Sequence, residues 1–128
     1  SALAGSEGMF SPRWSPDGRY LAALSHDSLR LLLHDFVSGR WRTLVEEKQV
    51  LTYPEWARDG RHIFVSQGLL RIRLSPEDGR REVVASFEGL RQANEPFGGW
   101  VGQAPDDGVL ALRDVGVLEI FALDWEVP

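Results

Sequence analysis

The sequence predicts an all-β protein: a partial β-propeller of about three four-stranded antiparallel blades, the last one incomplete. Three observations lead to this fold. A signature containing Trp and Asp-Gly-Arg repeats at a nearly fixed interval. Short apolar runs between the copies have the length and alternation of strands. Gly, Pro and Asp fall where those runs must turn.

The repeat comes first. Pro12-Arg13-Trp14-Ser15-Pro16-Asp17-Gly18-Arg19 returns as Pro54-Glu55-Trp56-Ala57-Arg58-Asp59-Gly60-Arg61, with Trp14 and Trp56 42 residues apart. Ser38-Gly39-Arg40 returns as Asp78-Gly79-Arg80 after 40 residues. A third copy is looser. Trp100 follows Trp56 by 44 residues, and Pro105-Asp106-Asp107-Gly108 resembles the Pro16-Asp17-Gly18 turn. Four extra residues separate Trp100 from its Asp-Gly pair, so a longer turn or a bulge is expected there. A period of 40 to 44 residues is that of a four-stranded propeller blade.

Within the first repeat, strands are expected over 10–14, 20–24, 29–33 and 41–45. The second predicts strands over 53–56, 62–65, 70–74 and 82–85. The run Ile63-Phe64-Val65 is apolar throughout, as for a strand covered on both faces. Leu70-Arg71-Ile72-Arg73-Leu74 alternates strictly, which assigns Arg71 and Arg73 to a solvated face. The third repeat predicts strands at 100–101, 109–112 and 117–123, with a fourth missing. The connection over 87–93 is the best place for a helical turn. The organisation is thus a flexible leader (1–8) followed by a partial propeller (9–128), with blades near 9–47, 50–86 and 96–128.

Composition bounds function. A net charge of −5 argues against binding nucleic acid through its phosphates by this domain alone. With no Cys there are no disulfides, thiolate nucleophiles or Cys-based zinc sites. No apolar run reaches the length of a membrane span, and residues 1–8 lack the basic end and apolar stretch of a secretory signal. A chain without Cys folds equally well on either side of a membrane, so the compartment stays open.

The signature Trp14-Ser15-Pro16-Asp17-Gly18-Arg19, followed by an apolar strand, resembles the TolB-type, WD40-like propeller repeat. The second copy departs from it at Ala57 and Arg58, and the third keeps a Trp and Pro-Asp-Asp-Gly. Such repeats occur in periplasmic TolB proteins, in the propellers of serine oligopeptidases and behind winged-helix regulatory domains of bacteria. The ending Ile120-Phe121-Ala122-Leu123-Asp124-Trp125-Glu126 is most similar to the last group. A closed propeller has more blades than three. The resemblance therefore implies completion of a ring, by missing blades or by a second copy in a homodimer.

The residues carry no convergent catalytic set. His26, His34 and His62 lack metal-ligand spacing, and neither a metal nor a cofactor is expected. Ser25-His26-Asp27 are adjacent on extended chain and point to opposite faces, so they form no triad. Asp17, Asp59 and Asp106-Asp107 are read as turn builders rather than calcium ligands. Trp14, Trp56 and Trp100 are read as packing between blades.

The expected function is a non-enzymatic interaction or sensor module, possessing a protein partner or pairing with itself, as in the C-terminal part of a transcriptional regulator. The alternatives are an accessory propeller of a hydrolase and a small-ligand-binding propeller. Blade-to-blade loops and the middle hairpins should share one end of the propeller. They nominate His26, Asp27, Tyr53, Gln67, Arg91, Asn94 and Glu95 as interaction-face residues.

Overall fold

The computed structural model describes residues 1–95 and 98–117. Every regular element among them is a β-strand. The first blade is an antiparallel sheet of β1 (Phe10–Trp14), β2 (Tyr20–Leu24), β3 (Arg30–Asp35) and β4 (Arg40–Glu46), in sequential order. The second repeats it with β5 (Leu51–Trp56), β6 (Ile63–Gln67), β7 (Leu70–Leu74) and β8 (Arg81–Ser86). The third unit is smaller. It has β9 (Asn94–Glu95) paired with β10 (Gly98–Gly99), and β11 (Val101–Gln103) paired with β12 (Val109–Ala111). An isolated antiparallel bridge, Gln92 to Arg113, closes its base. The all-β, partial-propeller architecture read from the sequence is the one observed.

The signature makes each inner hairpin for a local reason. The carboxylates of Asp17, Asp59 and Asp106 each accept the N–H two residues on, from Arg19 (3.0 Å), Arg61 (2.9 Å) and Gly108 (3.0 Å). The residue after each Asp takes a positive φ: Gly18 and Gly60 at 72°, Asp107 at 63°. Glycine does so without steric cost, and Asp tolerates it better than most residues. Two residues ahead of Trp14 and of Trp56, a Pro sits at a bulge. Ser11 and Tyr53, just before Pro12 and Pro54, carry φ of 52° and 49°, and both β1 and β5 shift register at that point.

The third repeat corrects the sequence alignment. The Ser15 and Ala57 amides donate to the carbonyls of Tyr20 and His62, five residues on, and the Ala104 amide donates to Gly108, four residues on. The third turn is therefore one residue shorter than the others, not longer. Gln103, not Trp100, occupies the place of Trp14 and Trp56. Trp100 lies before β11, with Gly102 against its ring. The sequence alignment followed the Trp, whereas the fold followed the hydrogen-bonded turn.

Two further expectations change. The helical turn expected over 87–93 is a β-turn, with the Leu90 amide donating to Phe87 (3.0 Å) and Gly89 at φ 76°. A strand expected over 117–123 is absent at its start, where Val117 is exposed and irregular. Residues 118–123 lie outside the described residues, as does the 120–126 ending.

The core sits between blades. Alternation along the strands sends Ala22, Leu24, Leu31, Leu33 and Leu44 of the first blade to the same side. They meet Leu51, Ile63, Val65, Ile72 and Leu74 of the second in one cluster. Each such Leu or Ile contributes roughly 1.5–3 kcal/mol by leaving water. Trp56 clamps the inner edge of this interface. Its Nε1–H donates to the Arg13 carbonyl (2.9 Å) and its ring stacks on Tyr20 at 6.2 Å. Gly79 closes the outer edge, where a Cβ would lie 2.6 Å from the Leu44 carbonyl oxygen.

The opposite face of the first blade carries Trp14, Leu21, His34 and Trp41 in register across its four strands. The leader covers the Trp41 end, with the Ala4 carbonyl accepting from Trp41 Nε1 (2.9 Å). At the other end Trp14 stacks on Phe36 at 4.8 Å, and both stay open to solvent, at 58% and 41% exposure.

Candidate functional site

The polar centre of the molecule is Arg71 on β7, which the alternation had placed on a solvated face. It is fully buried, at 0% exposure. Arg73 does lie at the surface, paired with Glu82. The strict alternation misleads because β7 is an inner-blade strand with a neighbouring layer on both sides. One layer is the core with the first blade, and the other is the contact with the third unit.

Arg71 is held from both blades it separates. Its Nη1 donates to the Tyr53 carbonyl (2.7 Å) and to Ser66 Oγ (3.1 Å), and its Nε donates to Gln103 Oε1 (3.0 Å). The bulge at Tyr53 turns that carbonyl off the β5–β6 ladder, which leaves it available as an acceptor. Gln103 in turn donates to the Asp107 carbonyl (2.8 Å), so the guanidinium is tied to the turn of the third unit. Nη2 lies 3.8 Å from Glu55 Oε2. Burial pushes the Arg71 pKa down to about 10, and the nearby Glu55 charge partly offsets this. The side chain is thus cationic near neutral pH.

A cavity of about 190 Å³ adjoins this cluster, bordered by Thr52, Tyr53, Ser66, Gln92, Gly99 and Val101. On the other side of Arg71 lies an open groove of about 440 Å³ beneath Trp14, Glu55, Trp56, Arg58 and Gln103. Two buried donors, Arg71 Nη2 and Gln92 Nε2, have no hydrogen-bond partner among the described residues.

The residues nominated from the sequence are only partly brought together. Tyr53 borders the cavity. Gln67 is buried at the end of β6, accepting from Arg81 Nη2 (2.9 Å) and donating to the Gln49 carbonyl (3.4 Å). His26 and Asp27 sit on the exposed β2–β3 turn, away from the cavity. Asp27 is a turn builder there: the Ser25 hydroxyl and then the Leu29 amide hold its carboxyl below the usual range. Arg91 is exposed and turned to Asp114 (3.3 Å) and the Gly116 carbonyl. Asn94 and Glu95 pair with Gly99 and Gly98 in β9–β10.

Sequence reading missed Ser66, Arg71, Gln92 and Gln103. A signal for the first two was present. Leu24 and Leu31 pair across β2–β3 as Ser66 and Arg71 pair across β6–β7. Offsets of 42 and 40 residues link the two pairs. A Leu–Leu pair in one blade had become Ser–Arg in the next.

Among the described residues, no group of His, Asp and Glu could hold a metal ion, and no helix is long and apolar enough to cross a membrane.

Comparison with known proteins places the fold. Neither a protein-family profile nor a curated protein matches the sequence. Solved structures do. TolB from Acinetobacter baumannii matches at a TM-score of 0.58 with 16% identity, over 77% of this chain and 25% of that one. A TolB from Agrobacterium tumefaciens matches at 0.62 with 17% identity, over 91% and 43%. The dihydro-heme d1 dehydrogenase NirN matches at 0.58 with 19% identity, over 84% and 24%. The chain is therefore a TolB-like partial β-propeller in fold. It spans less than half the length of these structures.

Proposed function

We propose that this chain is a non-enzymatic interaction module. In this reading the outer face of the first blade receives a further blade, supplied by a second copy of the chain. One observation carries it: the face holding Trp14 is the repeat equivalent of the face that the second blade buries. Trp56 finds a carbonyl and an aromatic ring on the blade before it. Trp14, at the same position, presents a solvent-facing indole beside Phe36. A cyclic pair, in which each copy offers its third unit to the other's first blade, has two-fold symmetry and leaves fewer open edges. The sequence likeness to propellers behind winged-helix domains supports a place in a bacterial transcriptional regulator.

Light scattering behind size exclusion tests this. The wild type should approach twice the monomer mass as concentration rises, and Trp14→Glu should stay monomeric. A wild type that is monomeric at every concentration overturns it.

A further inference from the structure

We infer that residues 1–4 are an autoinhibitory strap, which covers the outer face of the first blade in the single chain and must swing away before a second copy docks there. The inference rests on the pairing proposed above and names what regulates it.

The leader is built to hold one path. Leu3-Ala4-Gly5-Ser6-Glu7-Gly8-Met9 forms two linked turns, with the Ser6 amide donating to the Leu3 carbonyl (3.2 Å) and the Met9 amide to the Ser6 carbonyl (3.1 Å). Glycine stands third in each turn with a positive φ, 79° at Gly5 and 74° at Gly8. This period turns Leu3, Ser6 and Met9 inward, half-buried, and leaves the residues between them exposed. The face of the blade here is apolar. Alternation directs Ala23 and Leu32, a cross-strand pair, away from the second blade. They are nevertheless only 3% and 8% exposed, with no blade among the described residues packed on that side.

The repeat shows which part of the leader stands in the way. Gly5 lies against Trp41, where a Cβ would come 3.1 Å from Cδ1. Offsets of 42 and 40 residues take this contact to Glu47 and Arg81, which pair at 2.8 Å. From Gly5 onward the leader thus follows the route of the connection from the first blade to the second, a route that leaves room for a neighbouring blade. Before Gly5 it departs. The first blade's outer strand runs past Gly79, with the Leu44 carbonyl oxygen 2.6 Å from where a Cβ would be, but at the equivalent Gly39 nothing lies within 4 Å. Residues 1–4 turn back over the face instead of following that edge.

The strap is also weakly made. Among the described residues one hydrogen bond, from Trp41 Nε1 to the Ala4 carbonyl (2.9 Å), ties residues 1–8 to the blade. Beside it, Nδ1 of the buried His34 has no partner among the described residues. The interface between the two blades, by contrast, buries ten apolar residues in one cluster. A docking blade therefore displaces the strap at high enough concentration, and the strap keeps single chains apart below it.

Gly5→Val tests this, read by light scattering across concentrations and by exchange of the tryptophan indole protons in dilute solution. Valine at this φ is strained and its side chain crowds Trp41, so the turn opens. The variant should pair at a concentration about tenfold or more below that of the wild type. Its Trp41 indole proton should exchange faster than in the wild type, while that of Trp56 stays protected and reports an intact fold. Leu3→Ser opens the strap without straining the backbone, and serves if Gly5→Val does not fold. A contact that only supported the fold would weaken pairing when broken, not tighten it. A wild type that pairs, with neither variant pairing more tightly, overturns the strap and leaves the pairing standing. Equal Trp41 exchange in dilute wild type and Gly5→Val overturns it too. A wild type and variants that all stay monomeric overturn the pairing itself, and the strap's role with it.

Discussion

Replacing Arg71 by alanine should separate the third unit from the second blade. The substitution removes three hydrogen bonds from a charged donor, leaving the Tyr53 carbonyl, Ser66 Oγ and Gln103 Oε1 without it. Each such bond is worth about 1.5–3 kcal/mol in isolation, but the desolvation of the arginine is recovered when it goes. The partners left behind are neutral, and a buried acceptor without its donor costs about 1–3 kcal/mol. Total stability for a domain of this size is about 5–15 kcal/mol, so the loss would be large. Urea unfolding followed by circular dichroism reads it directly. A double variant, Ser66→Leu/Arg71→Leu, should lose less than Arg71→Ala, because it fills the space and removes the Ser66 hydroxyl, although the Tyr53 carbonyl and Gln103 Oε1 still lose their donor. An Arg71→Ala loss below about 1 kcal/mol would refute the claim that this side chain joins the two blades.

Three other outcomes follow from the structure. Trp56→Phe keeps a ring but deletes the bond to the Arg13 carbonyl, and should cost about 1–2 kcal/mol by the same unfolding assay. Gly79→Ala should cost at least about 1 kcal/mol more than Gly39→Ala. Both glycines have similar positive φ, but only at Gly79 does a Cβ meet a backbone oxygen. The turn carboxylates Asp17, Asp27, Asp35 and Asp78 are all held below the usual range by hydrogen bonds, with the Arg19 side chain the main cause at Asp35. The unfolded chain therefore takes up protons first as pH falls. Their contribution is complete above about pH 5 and is lost as pH drops through the lowered values. Asn at these positions should flatten the acid limb of a stability–pH curve.

Much of the fold was legible because it is written twice. The signature at 14–19 and 56–61 marks the same hairpin, and the strands between the copies fall where apolar runs were expected. The third unit was misread because its Trp lies outside the slot that Gln103 fills. A single residue type is a weaker guide than the turn that follows it. The site was mostly hidden. Alternation sorts a strand into two faces but does not say that both are covered, so Arg71 looked solvated. Gln92 and Gln103 come to the cluster from a unit whose strands are too short to announce themselves. Comparing the two blades position by position would have exposed Ser66 and Arg71, because there a paired leucine gives way to a polar residue.

The most direct test of the proposed blade-to-blade association is the exchange of tryptophan indole protons with solvent, measured across a range of concentrations. Trp56 Nε1–H, bonded to Arg13, should be protected at every concentration. Trp14 Nε1–H should exchange fast in dilute solution and become protected as the chains pair. A Trp14 indole that still exchanges freely in a sample shown by light scattering to be dimeric would contradict the account, since another surface would then be holding the chains together.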